Sequence, residues 1–186
     1  MGGIDTSPRR EKTMSDHTGL AQILKDAIKF ESDGYHFYKM AAEQTADPKG
    51  KEMLESLASD EVKHMRALKE QYRIYKGQGK FEWDEAKLKM KIGFDASSAS
   101  PIFSEQFKKR ISESRFEMTA LSVGIMLEQN SIDFYNKSAQ KTEDPQARAL
   151  FSFLANWEGQ HLRALISQYN YLKEDYWTDA RFFPSM

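Results

Sequence analysis

Residues 57–68, LASDEVKHMRAL, place Glu61 three positions before His64, and residues 154–165, LANWEGQHLRAL, place Glu158 three positions before His161. On an α-helix two such residues project about 60° apart, so each pair can reach a common point. A further glutamate stands thirty residues upstream of each pair, Glu31 before Glu61 and Glu128 before Glu158. Glu31 falls within the apolar face that carries Ile28 and Tyr38, and Glu128 within the one that carries Ile125 and Tyr135. A lone carboxylate on such a face has to be neutralised, paired or bound to a metal, because burying an uncompensated charge is costly. Four carboxylates and two imidazoles suffice for two divalent ions. By symmetry Glu31 and His64 serve one ion and Glu128 and His161 the other, with Glu61 and Glu158 bridging. Hard oxygen donors with one imidazole per metal suit iron or manganese, and would also accept zinc. Four carboxylate charges also balance two dications.

A single Glu-x-x-His pair would carry little weight in a chain with 16 glutamates and four histidines, because chance supplies such pairs and most are surface contacts. The repetition decides the matter. Residues 27–75 slide onto 124–172 at a constant offset of 97 without a gap, and 17 of the 49 positions are identical. Helical amphipathicity alone would match apolar classes. It would not match Glu with Glu and His with His at every candidate ligand. Two helix hairpins related by a pseudo-twofold axis are therefore expected. Tyr38 and Tyr135 lie seven residues after Glu31 and Glu128 and on the same face, fitting either core packing or a hydrogen bond to a ligand. Met40, Met65, Met118 and Met126 fit core filling. His17, His36, Arg66, Arg163 and the run Lys87 to Lys91 read as solvated.

The elements that must position these residues are all helical. Apolar periodicity predicts helices over 19–45, from Pro48 to about 76, over 112–141 and over 146–174, with Asp-Pro opening the second and fourth. Residues 77–111 read as a long crossover around a short helix near 83–92, since roughly 30 residues can span a bundle. Residues 1–18 read as a flexible extension, 19–175 as one four-helix domain and 176–186 as an aromatic tail. The chain of 186 residues can bury one sizeable core. Its net charge of -1 offers no basic footprint for nucleic acid or a membrane surface. No cysteine is present, which excludes thiolate metal sites and disulfides. No apolar run approaches the roughly 18 residues of a membrane span, so a cytoplasmic location is expected.

With Glu31, Glu61-x-x-His64, Glu128 and Glu158-x-x-His161 in place, the chain resembles the ferritin-like superfamily, and its spacing is most similar to the rubrerythrin branch. The resemblance covers about residues 19–174. It implies an all-α ferritin-like four-helix bundle of two repeated hairpins joined by a long crossover, with two iron ions held as a di-iron centre. It also implies an oxidoreductase that acts on hydrogen peroxide or dioxygen in oxidative-stress defence; in such a reaction the protein groups set geometry and exclude water, and Tyr38 or Tyr135 is the expected route for protons. Rubrerythrins of the full-length kind add a cysteine-bound iron domain. This chain has no cysteine, so an external electron donor such as a rubredoxin-type protein is expected, as is a homodimer or higher oligomer. Ser131 stands where rubrerythrins carry an extra carboxylate, with Gly34 at the repeat-equivalent position. The remaining six-ligand set is similar to ferroxidase centres, which keeps a ferritin-like iron-handling role as the alternative. A helical module with a merely structural metal is the third reading.

Overall fold

The computed structural model describes residues 9–92 and 115–179. They form five helices, α1 (Arg9–Gln44), α2 (Pro48–Gln78), α3 (Glu85–Ile92), α4 (Arg115–Lys141) and α5 (Pro145–Asp179), and no strand among the described residues. α1 pairs with α2, α4 pairs with α5, and α1 touches α4. The all-α hairpin architecture expected from the repeat is the one observed. α1 begins at Arg9, ten residues ahead of the apolar periodicity and inside the segment expected to be an extension. Residues 9–18 contain good helix formers such as Arg, Glu, Lys and Met but no apolar stripe, so periodicity cannot mark them. Residues 1–8 and 180–186 lie outside the described residues.

Both hairpins turn in the same way. Asp47 caps α2 by accepting the Gly50 N–H at 2.9 Å, and Pro48 occupies the first turn, where its missing N–H costs nothing. Asp144 repeats this at α5, accepting the N–H groups of Gln146 at 2.8 Å and Ala147 at 3.0 Å, with Pro145 following it. α2 runs through Gly77 and stops at Gly79, whose left-handed φ of 70° lets its N–H reach the Tyr75 carbonyl at 2.8 Å. Gln71 then anchors the start of the crossover, donating to the Glu82 carbonyl at 2.9 Å and accepting the Glu82 N–H at 3.2 Å.

The core divides into two apolar clusters. One holds Leu24 and Ala27 of α1, Leu68 and Tyr75 of α2, Tyr135 of α4, and Leu150, Phe151, Leu154 and Trp157 of α5, together with Phe81 and Leu88 from the crossover. The other holds Tyr38, Ala41 and Ala42 of α1, Leu54 and Leu57 of α2, Leu121 of α4, and Leu165 and Leu172 of α5. In each of the four long helices a candidate ligand falls between the two groups, so the polar layer sits mid-bundle. α2 ends beside the first cluster and α4 begins beside the second. The chain between them must therefore travel the length of the bundle, which is why no tight loop joins them. Residues 93–114 of this crossover lie outside the described residues.

The methionine expectation needs correction. Met40 and Met126 are 51% and 55% exposed. The buried stripe of α1 steps through Leu24, Ala27, Glu31, Gly34, Tyr38 and Ala41, and Met40 falls outside it. Met126 is displaced from the corresponding stripe of α4 in the same way. Met65 and Met118 are half-buried, while His36, Arg66 and Arg163 are exposed as expected. Of the lysine run, Lys87 is exposed and Lys89 half-buried; His17 lies outside the described side chains.

Candidate metal centre

All six residues singled out by spacing converge, each no more than 5% exposed. Their ligand atoms form two overlapping groups of four, within 4.8 Å in each case: Glu31, Glu61, His64 and Glu158, and Glu61, Glu128, Glu158 and His161, with His64, Glu158 and His161 as a trio between them. Glu61 and Glu158 belong to both groups, the positions that symmetry assigns to bridges. The remaining four divide as one glutamate and one histidine per group.

The contacts around His64 show the chemistry of the layer. Its Nδ1 lies 2.9 Å from Glu31 Oε2, 2.9 Å from Glu158 Oε1 and 3.3 Å from Glu61 Oε2. One imidazole nitrogen carries at most one proton and cannot satisfy three carboxylate oxygens from three helices. Glu158 Oε1 is left without a hydrogen bond despite its burial. Acceptor oxygens that outnumber the protons available to pair them fit a cation between them. His161 Nδ1 is similarly disposed, 2.9 Å from Glu158 Oε2 and 3.6 Å from Glu128 Oε1. The two imidazoles stack with their centroids 5.5 Å apart.

The ionisable groups of the layer perturb one another strongly. Burial, and then the Glu158 charge, push Glu128 up to about 8 and Glu61 well above the carboxylate range. Burial opposes ionisation of Glu158 too, but His64 and His161 outweigh it and hold Glu158 well below its ordinary value. For both histidines burial disfavours the cation, yet neighbouring carboxylates win and raise them well above 6.5. Glu158 and Glu31 do so at His64, and Asp60, Glu128 and Glu158 at His161.

Both tyrosines are fully buried and hydrogen-bonded to candidate ligands, although not to those on their own helices. Tyr38 of α1 donates to Glu128 of α4, and Tyr135 of α4 donates to Glu31 of α1. Burial first, then the carboxylate charges, raise both phenols well above 10, so each remains a donor at any physiological pH.

Two neighbours, Asp60 and Trp157, escape sequence reasoning, and for a third, Gly34, it does not show the contact. Asp60, nearly buried, places Oδ2 3.3 Å from His161 Nε2 and receives Lys63 Nζ on Oδ1 at 2.6 Å. Burial acts against its ionisation, but His161 and Lys63 prevail and lower it to about 2. Trp157 stands at the repeat-equivalent position and packs edge-on against His64, centroids 4.3 Å apart. Gly34 lies against Glu61, where a Cβ would come within 3.3 Å of its carboxyl carbon. The signal for the first two was available as the mismatch immediately before the matched glutamates, Asp60 against Trp157.

The family model for rubrerythrin matches residues 22–169, a stretch that contains all six converging residues and both tyrosines. Comparison with curated proteins and with solved structures gives no match.

Proposed function

The chain belongs to the rubrerythrin family, and from that premise we propose that it is a di-iron carboxylate oxidoreductase that reduces hydrogen peroxide or dioxygen with electrons from an external donor. The observation that carries the reading is the crowding of three carboxylate oxygens around His64 Nδ1, more acceptors than its one proton can serve, which a divalent cation between them would resolve. Glu31 and His64 would hold one metal, Glu128 and His161 the other, and Glu61 and Glu158 would bridge. Iron bound there supplies reversible one-electron steps that let peroxide take up two electrons and two protons and leave as two waters. Manganese suits the same donors, and zinc would occupy them without redox chemistry.

The protein's part is positioning and proton supply. The two apolar clusters enclose the polar layer and limit water. The Tyr38 and Tyr135 hydroxyls fix the carboxylates of Glu128 and Glu31 from outside and hold the nearest phenolic protons. We assign the electrons to a separate protein of rubredoxin type, and a homodimer or larger assembly to the exposed Met40, Met126 and Phe30. No described helix is long and apolar enough to cross a membrane, which accords with a cytoplasmic site of action.

The test is stopped-flow absorption of anaerobically reduced, iron-loaded protein. Addition of peroxide should produce the near-ultraviolet absorption of an oxidised di-iron pair, and an external reductant should remove it over repeated cycles. Two bound irons that show no transient would overturn the proposal. Oxidation by dioxygen followed by release or mineral growth, without catalytic peroxide turnover, would identify the iron-handling alternative.

A further inference from the structure

The repeat that builds the centre is broken at the position supporting each histidine. His161 has a carboxylate behind it. Asp60 Oδ2 lies 3.3 Å from Nε2, and Lys63 Nζ at 2.6 Å from Oδ1 holds Asp60 in place. Nε2 can only donate to the Asp60 carboxylate, so Nδ1, on the side of Glu128 and Glu158, is the nitrogen that would give up its proton to a metal, and the ring orientation is fixed. Among the described residues His64 has no such partner. Its Nε2 is buried and finds no hydrogen bond among the described residues, while the Trp157 ring stands edge-on at 4.3 Å where symmetry would put a second aspartate. Packing restrains the His64 ring but selects neither tautomer. A carboxylate behind a ligating imidazole also makes the imidazole a stronger donor.

Resting on the di-metal reading above, we propose that Asp60 is a positioning residue that makes the two metal positions inequivalent, with the Glu128–His161 position the tighter. The first ion to enter occupies that half, and the Glu31–His64 half fills second. Position 157 withholds from one histidine what position 60 provides to the other.

The test uses cobalt(II) binding to the full chain, followed by calorimetry and by visible absorption. His64→Ala leaves the Glu128–His161 position and His161→Ala leaves the other. The first variant should bind one cobalt about 10- to 100-fold more tightly than the second. Adding Asp60→Ala to the His64→Ala background should remove that advantage, whereas in the His161→Ala background it should change affinity less than twofold. Asp60→Asn retains the side-chain shape and should give an intermediate loss, which keeps the cycle readable if Asp60→Ala fails to fold. Circular dichroism of each metal-free variant separates a folding defect from a binding one. Equal affinities of the two single-histidine variants, or an equal effect of the Asp60 substitutions in both backgrounds, would overturn the inference while wild type still bound two ions. Failure of wild type to bind two ions would instead overturn the di-metal reading.

Discussion

Tyr135 of α4 donates its hydroxyl to Glu31 of α1, and the pseudo-twofold mate of this contact, Tyr38 to Glu128, runs in the opposite direction between the same two helices. Each phenol thus serves the glutamate of the other hairpin, tying the halves together at the metal layer. Removing a buried hydrogen bond to a charged group costs about 1–3 kcal/mol. Tyr135→Phe should therefore lower resistance to urea by that order, and metal affinity by about tenfold or more through the freed Glu31 carboxylate. Paired denaturation and metal-binding measurements check this. A loss of stability with unchanged metal affinity would reduce the tyrosine to a packing role.

The metal-free protein should lose stability as pH rises through neutrality. Glu128 is pushed from 4.5 up to about 8, so its folded form resists ionisation, and the resulting penalty grows between those two values. Both histidines are raised above 6.5 by the surrounding carboxylates, despite burial. Their contribution is full below that value and is lost as pH climbs through the folded one. Asp60, lowered from 3.8 to about 2, and the depressed Glu158 act at the acid end. Their contributions are present above the ordinary carboxylate values and are lost as pH falls through the folded ones. Thermal melts of chelator-treated protein should show greater stability at about pH 5.5 than at about pH 8, and saturating manganese should abolish the alkaline loss because metal displaces the bound protons. A metal-free profile that is flat between these values would contradict the charge assignment.

The residues legible in the sequence were those that helix geometry alone relates. Glu61 with His64, and Glu158 with His161, are neighbours on one helix by spacing, and the 97-residue repeat supplied their partners Glu31 and Glu128. Tyr38 and Tyr135 were visible as same-face residues, but their partners depend on how α1 packs against α4, which periodicity within one helix does not encode. Asp60 was hidden because it meets His161 across the bundle and because the repeat, the main guide, fails at that position. Hydrophobic type misled at Met40 and Met126, where angular position on the helix, not residue class, sets exposure. The start of α1 is illegible for the converse reason: residues 9–18 are helical without an apolar stripe to show it.

Gly34 should act on the metals and Gly124 on the fold. A Cβ at Gly34 would meet Glu61 at 3.3 Å from Cδ and 3.4 Å from Oε1, whereas one at Gly124 would meet Leu165 at 3.2 Å and Tyr38 at 3.3 Å. Alanine in a helix gains about 1 kcal/mol over glycine, while overpacking costs about 1–3 kcal/mol. Glu61 has a flexible side chain and can withdraw, so Gly34→Ala should change metal-free stability by less than about 1 kcal/mol while weakening binding of both ions through their shared bridge. Gly124→Ala strains Leu165 and Tyr38, which are enclosed by packed core, and should lower stability by about 1–2 kcal/mol. Isothermal titration with manganese alongside urea unfolding distinguishes the two. Equal losses of metal affinity in both variants would sink the assignment of Gly34 to the Glu61 carboxylate.

Glu61→Gln should make the metal-free protein more stable and the centre non-functional. Glu61 is raised first by burial and then by the Glu158 and Glu31 charges, so the folded state resists its ionisation while the unfolded chain does not. An amide of the same shape removes that penalty, worth about 1–3 kcal/mol for a buried charge in a cluster of like sign. The gain should be present at about pH 7.5 and absent at about pH 4, because below the ordinary carboxylate value both states hold the proton and the substitution removes nothing. With its anionic bridge gone the pair of metal positions loses a shared donor and one unit of negative charge, and the variant should retain at most one ion per chain. Thermal denaturation at both pH values, with metal analysis of the same samples, tests the coupling. A variant less stable than wild type at neutral pH when both are metal-free would mean that Glu61 is satisfied within the protein and has no need of a metal.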